Sequence, residues 1–123
     1  MEIKELTRAE EQVIQVLWKL EKAFVKEIIE EFPAPKPAYN TVSTIIRILE
    51  TKGFVDHEAF GKSHRYFALV SKEEYKSYAT GKLLNNYFGN SVESMFSFFV
   101  KEKRIDLQEA DEILKLIEKL KTK

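Results

Sequence analysis

Cysteine is absent from the 123 residues, which removes disulfides, thiolate metal sites and cysteine nucleophiles together. Histidine is scarce, and two of them, His57 and His64, are too few for most zinc sites. An excess of charge of either sign is missing too. Lys plus Arg is 20 and Asp plus Glu is 20, so a uniformly basic coat is excluded and any contact with a polyanion must come from a local patch. No apolar run approaches the roughly 20 residues of a membrane span, and the charged N-terminal stretch has no apolar leader core. There is no G-x-S-x-G turn, P-loop or H-E-x-x-H pair. These absences lead to the expectation of a cytoplasmic protein, not inserted in a membrane, with no cofactor, no metal and no enzymatic centre. At 44% hydrophobic and 33% charged residues, the remainder has the composition of an ordinary folded domain.

Helical spacing dominates what is present. Thr7-Arg8-Ala9-Glu10 has capping-box form, and Leu6 before it is placed to staple onto the helix. Ala9, Val13, Val16, Leu17 and Leu20 then recur with a period near 3.6, predicting a helix over about 7–20. Val25, Ile28, Ile29 and Phe32 predict a short second helix, halted by Pro33-Ala34-Pro35-Lys36-Pro37 because proline lacks the donor and fixes φ. A third helix is expected from about 38 to 52, closed by Gly53. Val42, Ile45, Ile46 and Leu49 form its core stripe, with Asn40, Ser43, Thr44, Arg47 and Thr51 on the opposite side. Two β-like runs over 54–60 and 64–70 flank Gly61-Lys62-Ser63, a hairpin connection.

Residues 71–123 read as helical. Ser71 with Glu74 makes a second capping box, and Tyr75, Ala79, Leu83 and Tyr87 form a stripe. Gly89-Asn90 breaks it. Val92, Met95, Phe96, Phe99 and Val100 mark a very apolar short helix. Asp106 caps a last one, with Ala110, Ile113, Leu114, Ile117 and Leu120 on one face and Lys119, Lys121 and Lys123 at its tail. The expectation is a mainly α protein with a small β-hairpin: a winged helix-turn-helix over 1–70, the DNA-binding domain, followed by a C-terminal helical dimerisation arm over 71–123.

Charge follows this order. Residues 1–31 hold five Lys/Arg against eight Asp/Glu, and residues 32–70 five against three. The cations of the second stretch lie on the third helix and the hairpin, where a winged helix meets DNA. Arg47 has the length and fork for a bidentate contact to guanine. Asn40 suits adenine or a phosphate at the helix N-terminus, and Thr41, Ser43 and Thr44 are short enough for close approach. Lys36, Lys62, His64 and Arg65 are candidates for the phosphate backbone. His57 on a strand is expected to point away from Asp56 and Glu58, which argues against a metal site.

The aromatic arm admits two readings. Tyr75, Tyr78, Tyr87, Phe88, Phe96, Phe98 and Phe99 with Met95 are more apolar surface than three short helices hide. They bury against a second subunit, the expected reading, or line an aromatic effector pocket of a ligand-gated regulator. Interface candidates are Tyr75, Leu83, Tyr87, Met95, Phe96, Phe99, Ile113 and Ile117. A two-fold dimer would set two recognition helices on a palindromic operator. A winged helix used purely for protein contacts is a third reading.

Taken in order, these residues resemble the penicillinase repressors of BlaI/MecI type over essentially the whole chain. The resemblance rests on Leu6-Thr7-x-Ala9-Glu10 leading to Val16-Leu17-Trp18, and on Tyr39-Asn40-Thr41-Val42-Ser43-Thr44 through Leu49 and Lys52-Gly53. It continues with Gly61-Lys62 before Tyr66 and with Val70-Ser71-x-x-Glu74-Tyr75. It implies a homodimeric repressor of a palindromic double-stranded operator, with Tyr39 added to the DNA-facing set and the C-terminal helices as the dimer interface. It also implies relief by proteolysis in the arm, signalled by a membrane sensor-protease, with the scissile bond falling at Phe98-Phe99. Staphylococcal-type members carry Asn where this chain has Phe98, and members often carry a basic residue where it has Ile48. The copper-responsive branch uses a C-terminal cysteine cluster, which this chain lacks.

Overall fold

The structure, a computed structural model, describes residues 3–121; Lys123 of the expected basic tail lies outside them. Its elements run α1 (Arg8–Leu20), β1 (Lys22–Phe24), α2 (Val25–Glu30), α3 (Tyr39–Thr51), β2 (Val55–Phe60), β3 (Ser63–Ala68), α4 (Lys72–Phe88), α5 (Val92–Lys101) and α6 (Leu107–Lys121). They form two compact units, the first ending at Tyr78 and the second beginning at Ala79.

In the first unit the caps act as the sequence implies. Glu10 N–H donates to Thr7 Oγ1 at 3.2 Å and Thr7 N–H to Glu10 Oε1 at 3.0 Å, closing the box that starts α1. The α1 stripe Val13, Ile14 and Leu17 meets Ile28 of α2 and Val42, Ile46 and Leu49 of α3 in one core. Each such side chain, fully buried, contributes about 1.5–3 kcal/mol. Gly53 follows α3 at φ 85°, the left-handed conformation that suits glycine. Phe54 is not part of a strand, contrary to the sequence reading. It is a core residue whose carbonyl accepts Leu69 N–H at 2.7 Å and Val70 N–H at 3.3 Å.

The sheet has three antiparallel strands rather than a hairpin alone, in the order β1-β3-β2. Ala23, fully buried, faces Tyr66 across the β1–β3 ladder. β2 and β3 pair from Val55 opposite Ala68 to Phe60 opposite Ser63, so the connecting loop is only Gly61-Lys62, with Gly61 at φ 62°. Alternation puts His57, His64 and Tyr66 on one face of the wing and Glu58, Arg65 and Phe67 on the other.

The first turns of α4 belong to this unit. The Tyr75 ring packs 5.6 Å from Phe54 and 6.2 Å from Trp18. Its hydroxyl accepts Leu6 N–H at 3.3 Å, and Trp18 Nε1 donates to Val70 O at 2.9 Å. These contacts carry the first unit eight residues past 70, where the sequence reading divided the chain. Tyr75, expected on a dimer interface, is instead 8% exposed in the core of its own unit.

The second unit is different in kind. Gly89 (φ 54°) and Asn90 (φ 61°) end α4, Ser91 caps α5 by accepting Ser94 N–H at 3.0 Å, and Asp106 caps α6 by accepting Glu109 N–H at 2.8 Å. From Ala79 to Leu120 no residue is buried. Leu83, Tyr87, Leu114, Ile117 and Leu120 are exposed, and Met95, Phe96, Phe99 and Ile113 are half-buried.

Candidate nucleic-acid interface

The exposed side of α3 and the wing line one cleft of about 540 Å³. Tyr39, Ser43 and Arg47 form one wall, Phe60, Lys62, Ser63, His64 and Tyr66 the other, and the start of α2, with Lys26 and Glu27, closes it. α3 opens on Ala38, which gives no side-chain cap, and its first turn has no acid. Its leading N–H groups are thus left for solvent or an anion. Asn40 and Thr41 stand exposed in that turn, with Thr44 and Arg47 exposed one and two turns on.

Arg47 is poised rather than spent. Among the described ion pairs none involves Arg47 or Lys62. The guanidinium instead lies within hydrogen-bond reach of the Tyr66 phenol on the wing side of the cleft. Burial and the Glu50 carboxylate push that phenol's pKa up, with Arg47 pulling the other way. Ser43 departs from its expected place on the open face. It is 9% exposed, sitting about 100° on from Val42 at the edge of the core stripe, with Val25 of α2 and Tyr66 of the wing lining the same cleft.

Three other candidates are held in ways the sequence did not show. The Lys36 ammonium donates to Glu30 O and Phe32 O, both at 2.9 Å, completing the C-terminal end of α2. Arg65 lies on the wing face opposite His64. It pairs with Glu58 at 3.2 Å and stacks over Phe60 at 4.8 Å, and its Nε is buried without a partner. Glu58 also takes Lys22 at 3.2 Å, and these two cations hold its carboxyl below the usual range. His64 stacks on His57, centroids 4.0 Å apart and planes at 9°. His57 does turn away from Glu58, but not from every acid. Its Nδ1 lies 3.1 Å from both oxygens of Glu50, and the short Asp56 side chain folds back to 4.0 Å from the ring while accepting His57 N–H at 2.8 Å. Glu50, one turn past Arg47, is the residue that sequence reasoning missed; its place beside the wing needs the tertiary fold.

Elsewhere, the second unit has two open grooves. One is lined by Phe88, Glu93, Ser97, Phe98 and Lys101, the other by Val100, Ile105, Leu107 and Ala110. No helix among the described residues is long and apolar enough to cross a membrane.

Comparison with known proteins agrees with this geometry. The family model described as penicillinase repressor matches residues 6–119. The methicillin resistance regulatory protein MecI of Staphylococcus aureus (strain N315) is 27% identical over 116 residues, 94% of each chain. The penicillinase repressor of Bacillus licheniformis is 23% identical over 122 residues, 98% of this chain and 95% of that one. The solution structure of the DNA binding domain of the repressor BlaI superposes with a TM-score of 0.52 at 25% identity, covering 60% of this chain and 92% of that one. A winged helix with an open recognition face, on a chain matched almost end to end, settles the assignment: this protein belongs to the penicillinase repressor family, transcriptional repressors that bind DNA and are not enzymes.

Proposed function

We propose that the chain represses transcription in the cytoplasm as a homodimer on a palindromic operator of antibiotic-resistance type. The observation that carries the DNA contact is the shared cleft: Arg47 on α3 and Lys62 and His64 on the wing line it together, and among the described ion pairs none takes up Arg47 or Lys62. Arg47 reads a base in the major groove, with Asn40, Thr41 and Thr44 beside it and Tyr39 at the helix start. Lys62 and His64 hold the backbone. Lys36 helps from the end of α2, where its third donor is left over, and Ser43 allows close approach rather than contact. Arg65 stiffens the wing through Phe60 and Glu58.

The dimer reading is supported by the second unit, in which nothing from Ala79 to Leu120 is buried although Leu83, Tyr87, Ile117 and their neighbours are apolar. A face of that kind is stable only when covered. The helical region beyond Tyr78 is thus the dimerisation region, with Leu83, Tyr87, Met95, Phe96, Phe99, Ile113 and Ile117 in the interface, while Tyr75 stays in the first unit's core. Relief by a membrane sensor-protease at Phe98-Phe99 fits the same scheme, since cutting α5 would divide the interface.

Fluorescence anisotropy tests the reading on operator and unrelated duplexes. Arg47→Ala should cost about 1–3 kcal/mol on the operator and relax one base position, whereas equal loss on both duplexes would remove its base-reading role. Sedimentation of Phe96→Glu and Phe99→Glu should show monomers; dimers of undiminished stability would place the interface elsewhere.

A further inference from the structure

Glu50 stands on the recognition helix yet points to the wing, and the only described hydrogen bonds of its carboxylate go to His57. An ionised carboxylate only accepts, so Nδ1 of His57 carries the proton between them. The imidazole so held lies flat against His64 at 4.0 Å and 9°, and both rings rest on Tyr66, at 5.6 and 6.1 Å. His64 is the exposed end of this chain of contacts, on the cleft wall beside Lys62. The loop carrying Lys62 is two residues long with a glycine in it, and has no such anchor of its own.

We propose that Glu50 and His57 are positioning residues for DNA binding: a Glu50–His57–His64 relay ties the tip of the wing to the recognition helix and fixes the distance between the base-reading and phosphate-holding halves of the cleft. Neither Glu50 nor His57 touches DNA. Glu50, an acid close to a polyanion, is tolerated there because its charge is taken up by the His57 N–H. Without the tether the wing moves independently, and its phosphate contact must be ordered at the moment of binding.

The proposal rests on the cleft being the DNA interface, so Arg47→Ala is measured alongside as the marker of that reading. In anisotropy titrations at graded salt, Glu50→Ala and His57→Ala should each weaken binding by about threefold to tenfold, equally on operator and unrelated duplex. Each should also lower the slope of log affinity against log salt by about one. The double variant should lose no more than His57→Ala alone. Glu50→Gln, whose amide oxygen still accepts from Nδ1–H, should bind like the parent. Ring-proton NMR shifts of His64 should move in His57→Ala and stay in Glu50→Gln. Should His57→Ala melt early, His57→Phe keeps a ring on His64 without the bond to Glu50 and should match Glu50→Ala. Unchanged affinity and slope in Glu50→Ala, or losses that add in the double variant, overturn the relay if Arg47→Ala still loses operator selectively. If Arg47→Ala has no effect either, the interface itself is wrong.

Discussion

Replacing Lys52 with Met removes one ammonium and keeps most of the side chain's length. In the native protein Nζ lies 2.6 Å from Glu10 Oε1 and 3.3 Å from Glu5 O, so it fastens the end of α3 to the start of α1. The Glu10 side chain is 7% exposed and that of Lys52 24%. Removing one partner of a fully buried pair costs about 3–5 kcal/mol. Here the cation is partly wet and Thr7 N–H still serves the carboxylate, so about 1–2 kcal/mol is expected, or roughly 4–8 °C in melting temperature. The pH dependence identifies the cause. Burial pushes the Glu10 pKa up, but the Lys52 ammonium and Thr7 N–H outweigh it and hold the carboxyl below its usual range. The stability this provides is present above the unfolded carboxyl's pKa and lost as pH falls through the lower folded value. In Lys52→Met the ammonium no longer holds the carboxyl down, so Glu10 takes up a proton more readily than in the parent. The deficit against the parent, from urea unfolding, should therefore be largest near pH 7 and shrink toward pH 4. A deficit equal at both pH values would show that packing or the Glu5 contact, not the charge pair, is responsible.

Other expectations concern single contacts. Tyr75→Phe keeps the rings against Trp18 and Phe54 but strands the buried Leu6 N–H, and urea unfolding should show a loss of about 1–2 kcal/mol; no loss would mean that water replaces the hydroxyl. Glu21 closes α1 at φ 70° and ψ −55°, a conformation strained for any side chain, so Glu21→Gly should raise stability by about 0.5–1 kcal/mol, and a lower melting temperature would contradict this. Thr7→Ala breaks the capping box and should cost about 1 kcal/mol in the same assay; an unchanged midpoint would show the box to be ornamental.

The fold's helices were legible because their signals are local. Thr7 with Glu10, the Val42–Ile46–Leu49 stripe and Gly53 each act within a few residues of themselves. β1 was not, since three residues show no period and Lys22-Ala23-Phe24 becomes a strand only where β3 offers a free edge. The same divide runs through the site. Arg47, Asn40 and Thr44 stand exposed as the helical wheel predicts, and Lys62 and His64 line one cleft with Arg47, because helix and hairpin geometry suffices. Ser43 failed at the border of the stripe, where the neighbouring elements decide burial. Lys36 and Arg65 are expected on the phosphate backbone, yet one meets carbonyls four and six residues back and the other a carboxylate across the strand pair. Tyr75 matched a helical stripe, but the first unit claimed it through Trp18 and Phe54, both distant in sequence. Glu50 carried no signal, because a lone acid on an amphipathic helix reads as solvated until its partner is seen.

The most direct measurement follows backbone and side-chain NMR signals of the isotope-labelled protein as an operator duplex is added. Shifts should concentrate at Tyr39, Asn40, Thr44 and Arg47 of α3 and at Lys62 and His64 of the wing, leaving Phe67 and Lys22 on the outer sheet face nearly still. Shifts centred on that outer face or on α1, with Arg47 and Lys62 unmoved, would contradict the account.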